Sequence, residues 1–251
     1  MINFRLLLFL TFREISQRYK QSFFGLLWLF INPLCYALPF IIIYNFALKT
    51  DTGGYPYPIF IYSGFIFWNF FTSSINTGVF SITNYSNIIN NASFSREIIP
   101  LSIVLSRAVD FFASLPILFI MFILYKINLS LYQIYLLPIF LAESILIIGM
   151  VYLISSLHVF IRDVGNMMPI VLFIWLFATP VIYSTKNIPI NLLNLLKYNP
   201  MVGIIDSARG IILSNKINID LIIPSIVVIT GIFFLGRTIF KILEPKFPDV
   251  I

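Results

Sequence analysis

Charge is what this sequence has least of. Asp, Glu, Lys and Arg together make up 10% of 251 residues, against about a quarter in an ordinary soluble domain. The chain is 59% hydrophobic with a mean hydropathy of +0.96, more apolar surface than a soluble core of this length can hide. The composition therefore predicts an all-α membrane protein that crosses the bilayer several times. Cysteine occurs once, as Cys35 in a hydrophobic run, which excludes an intrachain disulfide. Histidine also occurs once. His158 has no second His or Cys at ligand spacing, so no metal site is read there. No H-E-x-x-H, G-x-S-x-G or D-x-D is present, which leaves little for a hydrolase or a metal-dependent transferase, and no catalytic residue is assigned. Residues Gly231 to Thr238 imitate a Walker A spacing with Arg237 in place of lysine. Phe233, Phe234 and Leu235 sit there in a continuous apolar run, whereas a phosphate cradle follows a strand and opens a helix, so the motif is rejected. The N-terminus does not read as a cleavable signal: a short apolar stretch, Phe4 to Phe12, runs into Arg13 to Lys20 instead of a small-residue cleavage site. The net charge of +6 is spread along membrane flanks and forms no single patch, which argues against nucleic acid.

What is present is apolar length. A span needs about 20 residues, and six stretches approach that: 28–48, 59–82, 102–125, 133–157, 167–184 and 221–243. In this threading ten of the 16 Lys and Arg fall on the side of the N-terminus, so the positive-inside rule places both termini in the cytoplasm. The whole chain, 1–251, reads as one domain with a surface helix over 4–27, a cytoplasmic loop over 84–101 and an outer segment over 185–219.

The most structured signal lies between Thr11 and Pro33. On a helix Phe12, Ile15, Tyr19, Phe23 and Leu26 share one face, and Arg13, Glu14, Gln17, Arg18 and Gln21 share the other. Thr11 and Glu14 have capping-box spacing, and Glu14 to Arg18 is a favourable i,i+4 pair. Such a helix lies in the membrane surface with its cations among headgroups or against a cytoplasmic partner; the alternative is a basic flank that only orients the next helix.

The wording of this stretch, Arg13-Glu14, Arg18-Tyr19-Lys20, Gly25, Trp28 and Pro33, resembles the start of ABC-2 type permeases of the polysaccharide-export branch, which move O-antigens, capsular polysaccharides and teichoic acids. Further along, Leu157 to Asp163 is similar to an L-x-V-F-F-R-D element, with Ile161 replacing an aromatic. Trp175, Pro180 and Tyr183 match W-x-x-x-x-P-V-x-Y; Tyr198-Asn199-Pro200 and Arg209 also fit the pattern. Glu244, Phe247, Asp249 and Ile251 match E-x-x-F-x-D-x-I, with Pro248 where a small residue is more usual. The resemblance runs from Arg13 to Ile251.

It implies six spans in each half of a homodimer, with ATP and magnesium bound by two copies of a separate ATPase subunit, and no cofactor bound by this chain. It implies a bacterial cytoplasmic (inner) membrane and a glycan substrate on a polyprenyl pyrophosphate lipid. Arg13, Arg18 and Lys20 would attract that pyrophosphate. The loop holding Arg96 and Glu97 becomes a coupling helix against the ATPase, with Glu14, Arg162 and Asp163 on the same side. Pro100 suggests a short helix broken just before the third span; without the resemblance the loop is a solvated turn. The outer segment becomes two short re-entrant helices, a gate with Tyr198, Asn199, Pro200 and Arg209; without it, an interfacial hairpin.

Two features of the spans remain open. Phe67, Trp68 and Phe71 in the second span suit stacking on sugar faces in a channel, or equally packing among helices or lipid. Arg107 and Asp110 in the third span are an i,i+3 pair, and Glu143 in the fourth lies at comparable depth by residue count. Charges within a bilayer face protein or water, so these form either structural pairs lining the channel or a proton relay. The function reading is the permease subunit of a lipid-linked polysaccharide exporter. An ABC-2 permease for another lipid or a drug, and an integral membrane enzyme acting on polyprenyl-linked sugars, are the alternatives.

Overall fold

Asn3 opens the first helix by accepting the backbone N–H groups of Arg5 and Leu6 on its side chain, which satisfies donors that a helix start leaves unpaired. The computed structural model describes residues 3–20, 25–46, 52–91 and 94–250. Helix α1 runs Phe4–Tyr19, so Thr11 is not the cap that its spacing to Glu14 suggested. Thr11 lies inside the helix and donates its hydroxyl back to the carbonyl of Leu7. Phe23 and Gln21 lie outside the described residues, and residues 25–27 form a short 3-10 turn before α2 (Trp28–Phe46).

The central helix is α3 (Tyr57–Gly78), with 16 of its 22 residues buried. After it come α4 (Ser81–Asn84) and α5 (Ser86–Asn91), then α6 (Ile98–Leu124). Pro100 does not break a helix before the span: it sits in the first turn of α6, where a missing N–H leaves no bond unmade. Helix α7 (Leu136–Phe160) follows a 3-10 turn, and α8 (Asp163–Phe177) follows a two-residue break. Then come α9 (Ile190–Leu196), α10 (Pro200–Ser214), α11 (Ile219–Leu243) and the terminal α12 (Phe247–Val250). Residues 231–238 are continuous helix within α11, the geometry opposite to a phosphate loop.

Among the described residues there is no strand, and three segments are long and apolar enough to cross a membrane: Ile98–Leu124, Leu131–Phe160 and Ile219–Val250. Shorter apolar stretches occupy Pro33–Ile43 of α2 and Asp163–Phe177 of α8. Helix α3 carries Ser63, Asn69, Thr72, Ser73, Ser74 and Asn76. It tolerates them because α2, α6, α7, α8 and α10 all pack around it, so these groups meet protein instead of hydrocarbon. Several hydroxyls bond back to the helix itself, as Thr72 does to the carbonyl of Trp68 at 2.9 Å. Its rings knit the bundle together: Phe67 meets Phe111 at 5.1 Å and Phe70 stacks on Phe140 at 5.4 Å.

The tightest seam joins α7 and α11. A Cβ on Gly149 would come within 2.5 Å of the Phe233 Cα, and a Cβ on Gly236 would overlap the Gly149 carbonyl oxygen. Helix association in a bilayer rests on close van der Waals packing, and small residues let the backbones touch. Gly236→Ala is therefore expected to lower the apparent Tm in detergent, with an overpacking penalty of about 1–3 kcal/mol. Gly231→Ala, which meets nothing within 4 Å, leaves Tm unchanged or slightly raised through helix propensity. Equal Tm values for the two variants would contradict this packing.

Candidate functional site

Charge in this molecule collects at the two ends of the bundle. At the N-terminal end α1 lies with Leu7, Leu10 and Thr11 buried, while Phe4, Phe9 and Phe12 are each about two-thirds exposed. The polar edge of the helix, not only its apolar face, is turned to protein. Glu14 accepts a hydrogen bond from the Tyr85 hydroxyl, and Arg13 lies 5.1 Å over the Tyr85 ring. Burial, and after it the Glu14 bond, hold the Tyr85 hydroxyl well above its ordinary pKa, so it stays a donor.

One turn on, Arg18 pairs with Asp110 of α6 and donates to the Ser106 carbonyl at 3.0 Å. The Tyr19 hydroxyl donates to the other Asp110 oxygen at 3.1 Å. Its pKa is pushed up to about 12, by burial first and Asp110 second. Arg107 reaches Asp110 at 3.4 Å and Thr77 of α3 at 3.1 Å. Of the three cations expected to attract a pyrophosphate, Arg18 is thus engaged by Asp110 and Arg13 lies over Tyr85, while Lys20 is exposed. Asp110 is answered by cations and a phenol. Glu143 does not join it: the Glu143 side chain is fully buried, with no hydrogen-bond partner for either oxygen among the described residues.

The same end of the molecule holds the loop after α5. Arg96 and Glu97 both engage the end of α11: the Arg96 N–H donates to Glu244 at 2.9 Å, and Glu97 lies 3.3 Å from both Arg237 and Lys241. Phe247 closes this end by packing against Phe240 at 5.4 Å and Phe160 at 6.4 Å. Arg162 and Asp163 stand exposed at the break between α7 and α8. His158 next to them accepts the Gly165 N–H and meets the Phe80 ring edge-on at 4.9 Å, the environment of a packing histidine.

At the opposite end the motifs around Trp175 and Asn199 interlock. Asn199 caps α10 by accepting the Met201 N–H at 3.1 Å, and the same oxygen accepts the Trp175 indole N–H at 3.1 Å. Its amide nitrogen donates to the Ala178 carbonyl and the Thr179 hydroxyl. Pro200 occupies the first position of α10, where its missing N–H is harmless. Arg209, 6% exposed, donates to the carbonyls of Phe60, Pro180, Val181 and Tyr183, and its guanidinium lies 3.8 Å over the Phe60 ring. This one side chain satisfies carbonyls freed where α8 ends. Gly64 leaves it room, since a Cβ there would fall 2.7 Å from the guanidinium. Tyr198 points out and is 60% exposed.

Between the ends, α2, α3 and α8 line an open pocket of about 410 Å³. Trp68 lines it together with Asn69, Thr72, Ser73, Asn76 and Phe173. Phe67 and Phe71 turn away into packing against Phe111 and Trp175. Sequence reasoning passed over Tyr85 and the partners of Arg96 and Glu97. A signal for the latter was available: Arg237, Lys241 and Glu244 at i, i+4 and i+7 form one charged stripe at the end of an apolar helix.

The ABC-2 type transporter family matches residues 5–213 of this chain. Two Klebsiella pneumoniae proteins, each described as O-antigen export system permease protein RfbA, are 28% and 29% identical over 251 residues, 99% of this chain and 95% of theirs. A Myxococcus xanthus protein of the same description is 26% identical over 215 residues, 84% of this chain and 82% of its own.

The charge cluster at Asp110 yields a direct test. Asp110→Asn leaves Arg18 and Arg107 without their carboxylate, and hydrogen bonds to charged groups contribute about 1.5–3 kcal/mol. The variant is expected to show a lower apparent Tm in detergent and faster proteolysis after Lys20. An unchanged Tm and digestion pattern would mean that α1 is held by its apolar face alone.

Proposed function

The chain belongs to the ABC-2 type transporter family, and from that membership we propose that it is the membrane subunit of an exporter for a lipid-linked polysaccharide, driven by a separate ATPase. The observation that carries this is similarity over almost the full chain to permeases described as O-antigen exporters. In this reading α2, α3, α6, α7, α8 and α11 are the six spans, α9 and α10 are re-entrant helices in the outer leaflet, and both termini are cytoplasmic. Two such subunits make one pathway in a bacterial inner membrane, and two ATPase subunits bind below. ATP and magnesium belong to those subunits.

On this reading the N-terminal end of the bundle is the cytoplasmic, ATPase-facing end. Glu14, Arg96, Glu97, Arg162 and Asp163 gather there, and α1 lies along the inner leaflet with Phe4, Phe9 and Phe12 in lipid. Lys20 and Arg13 offer positive charge to a lipid pyrophosphate at the membrane surface; Arg18 holds α1 to the bundle instead. The opposite end, where Asn199 and Arg209 lock the turn after α8, is the outer gate. The pocket between α2, α3 and α8 serves as a segment of the channel wall. Trp68, 5% exposed, borders that wall and would reach a sugar face only as the pocket opens, while the half-buried Asn69, Thr72, Ser73 and Asn76 offer hydrogen bonds to hydroxyls. Phe67 and Phe71 support that wall from behind.

Purification of the tagged chain from native membranes is expected to bring with it an ATPase carrying a Walker A motif, in roughly equal amount. A folded chain that purifies with no ATPase would overturn the reading. In proteoliposomes of the pair, Trp68→Ala is expected to lower ATP-dependent glycan transport by about two- to tenfold, the range of an aromatic contact of ~0.5–1.5 kcal/mol. Phe67→Ala acts on Tm instead.

A further inference from the structure

The loop before α6 is not free to move by itself. The Arg96 backbone N–H donates to Glu244 Oε1 at 2.9 Å, and its guanidinium donates to the Glu244 carbonyl oxygen. That carbonyl stands at the C-terminal end of α11, where the helix attracts a cation. Glu97 is 4% exposed, and its two oxygens are taken by Arg237 Nε and Lys241 Nζ at 3.3 Å each. Lys241 closes the network on Glu244 at 2.9 Å. Arg237 and Lys241 stand on one stripe of α11, and Glu244 is its C-cap. Next to Arg237 in the same helix, Gly236 is seated on Gly149 of α7. A seam with no space between two backbones transmits displacement instead of absorbing it.

We propose that residues 94–97 and the C-terminal end of α11 form one rigid body, so that force on the cytoplasmic loop moves the α7–α11 pair. Arg237, Lys241 and Glu244 are then positioning residues that act through Arg96 and Glu97. The proposal rests on the exporter reading only for what pulls the loop. An ATPase acting on an unattached loop would lose its stroke in bending the chain; acting on this one, it turns a transmembrane helix.

The test begins in a Cys35→Ser background with Arg96→Cys and Glu244→Cys joined by a short thiol-reactive bridge. In native membranes the bridge is expected to form in high yield, equally with and without ATP. Low yield, or yield that falls with ATP, would overturn the rigid body whatever the chain transports. In proteoliposomes with the ATPase, the unbridged double variant is expected to export at least fivefold less per ATP hydrolysed, and bridging restores export. Loss of export on bridging would overturn the proposal. Lys241→Glu, which adds a carboxylate beside Glu97 and Glu244, is expected to uncouple export from hydrolysis, and Lys241→Arg to retain coupling; equal coupling in both would also overturn it. A wild-type pair that transports nothing rejects the exporter reading, while the bridging yield still decides the clamp.

Discussion

A carboxylate on an apolar helix must find partners, and Asp110 finds two cations and a phenol. A charge left alone at mid-bilayer costs about 2.5–3.5 kcal/mol on insertion scales. Arg107 from its own helix, and Arg18 and Tyr19 from α1, meet Asp110 together. Because Arg107 also reaches Thr77, one acid ties the surface helix, α6 and the end of central α3 into a single corner. The direction in which α1 lies, and which of its faces reaches lipid, follows from that corner. It also explains why a basic helix next to a membrane spends Arg18 on the protein and keeps Lys20 outside.

The rest of the design follows from scarcity of charge. Between the ends, stability comes from ring packing around α3 and from the Gly149–Gly236 seam, neither of which needs a polar group. At the ends, two polar residues each satisfy several partners: Asn199 joins a tryptophan, a cap and a carbonyl, and Arg209 collects four carbonyls. Such saturated hubs are rigid because any displacement strands several donors or acceptors at once.

Much of this was legible in the sequence, and the limits have physical causes. Apolar runs marked where the long helices lie, and the Arg107–Asp110 pair and the Asn199–Pro200 break appear as read, because each depends on neighbours within four residues. Pairings across distant segments were not legible: Arg18 with Asp110, Glu14 with Tyr85, Arg96 with Glu244. Nothing in local spacing says which acid a cation will meet after the chain folds back. The aromatic run in α3 was left between channel and packing for a related reason. With nearly every position apolar, periodicity carries no direction, and about 100° separates Trp68 beside the pocket from Phe67 in the packing, about 60° from Phe71. Thr11 matched the spacing of a cap, yet Asn3 had already opened the helix two turns earlier.

The corner built on Asp110 and the clamp on Glu244 are proposed to mark the end of the bundle that receives an ATPase. Site-specific photo-crosslinking in native membranes tests this most directly. A photoreactive residue at position 84, exposed beside Tyr85, should capture the ATPase. One at position 128, exposed at the far end between α6 and α7, should not. Capture from position 128 and none from position 84 would invert the molecule in the membrane and contradict the account.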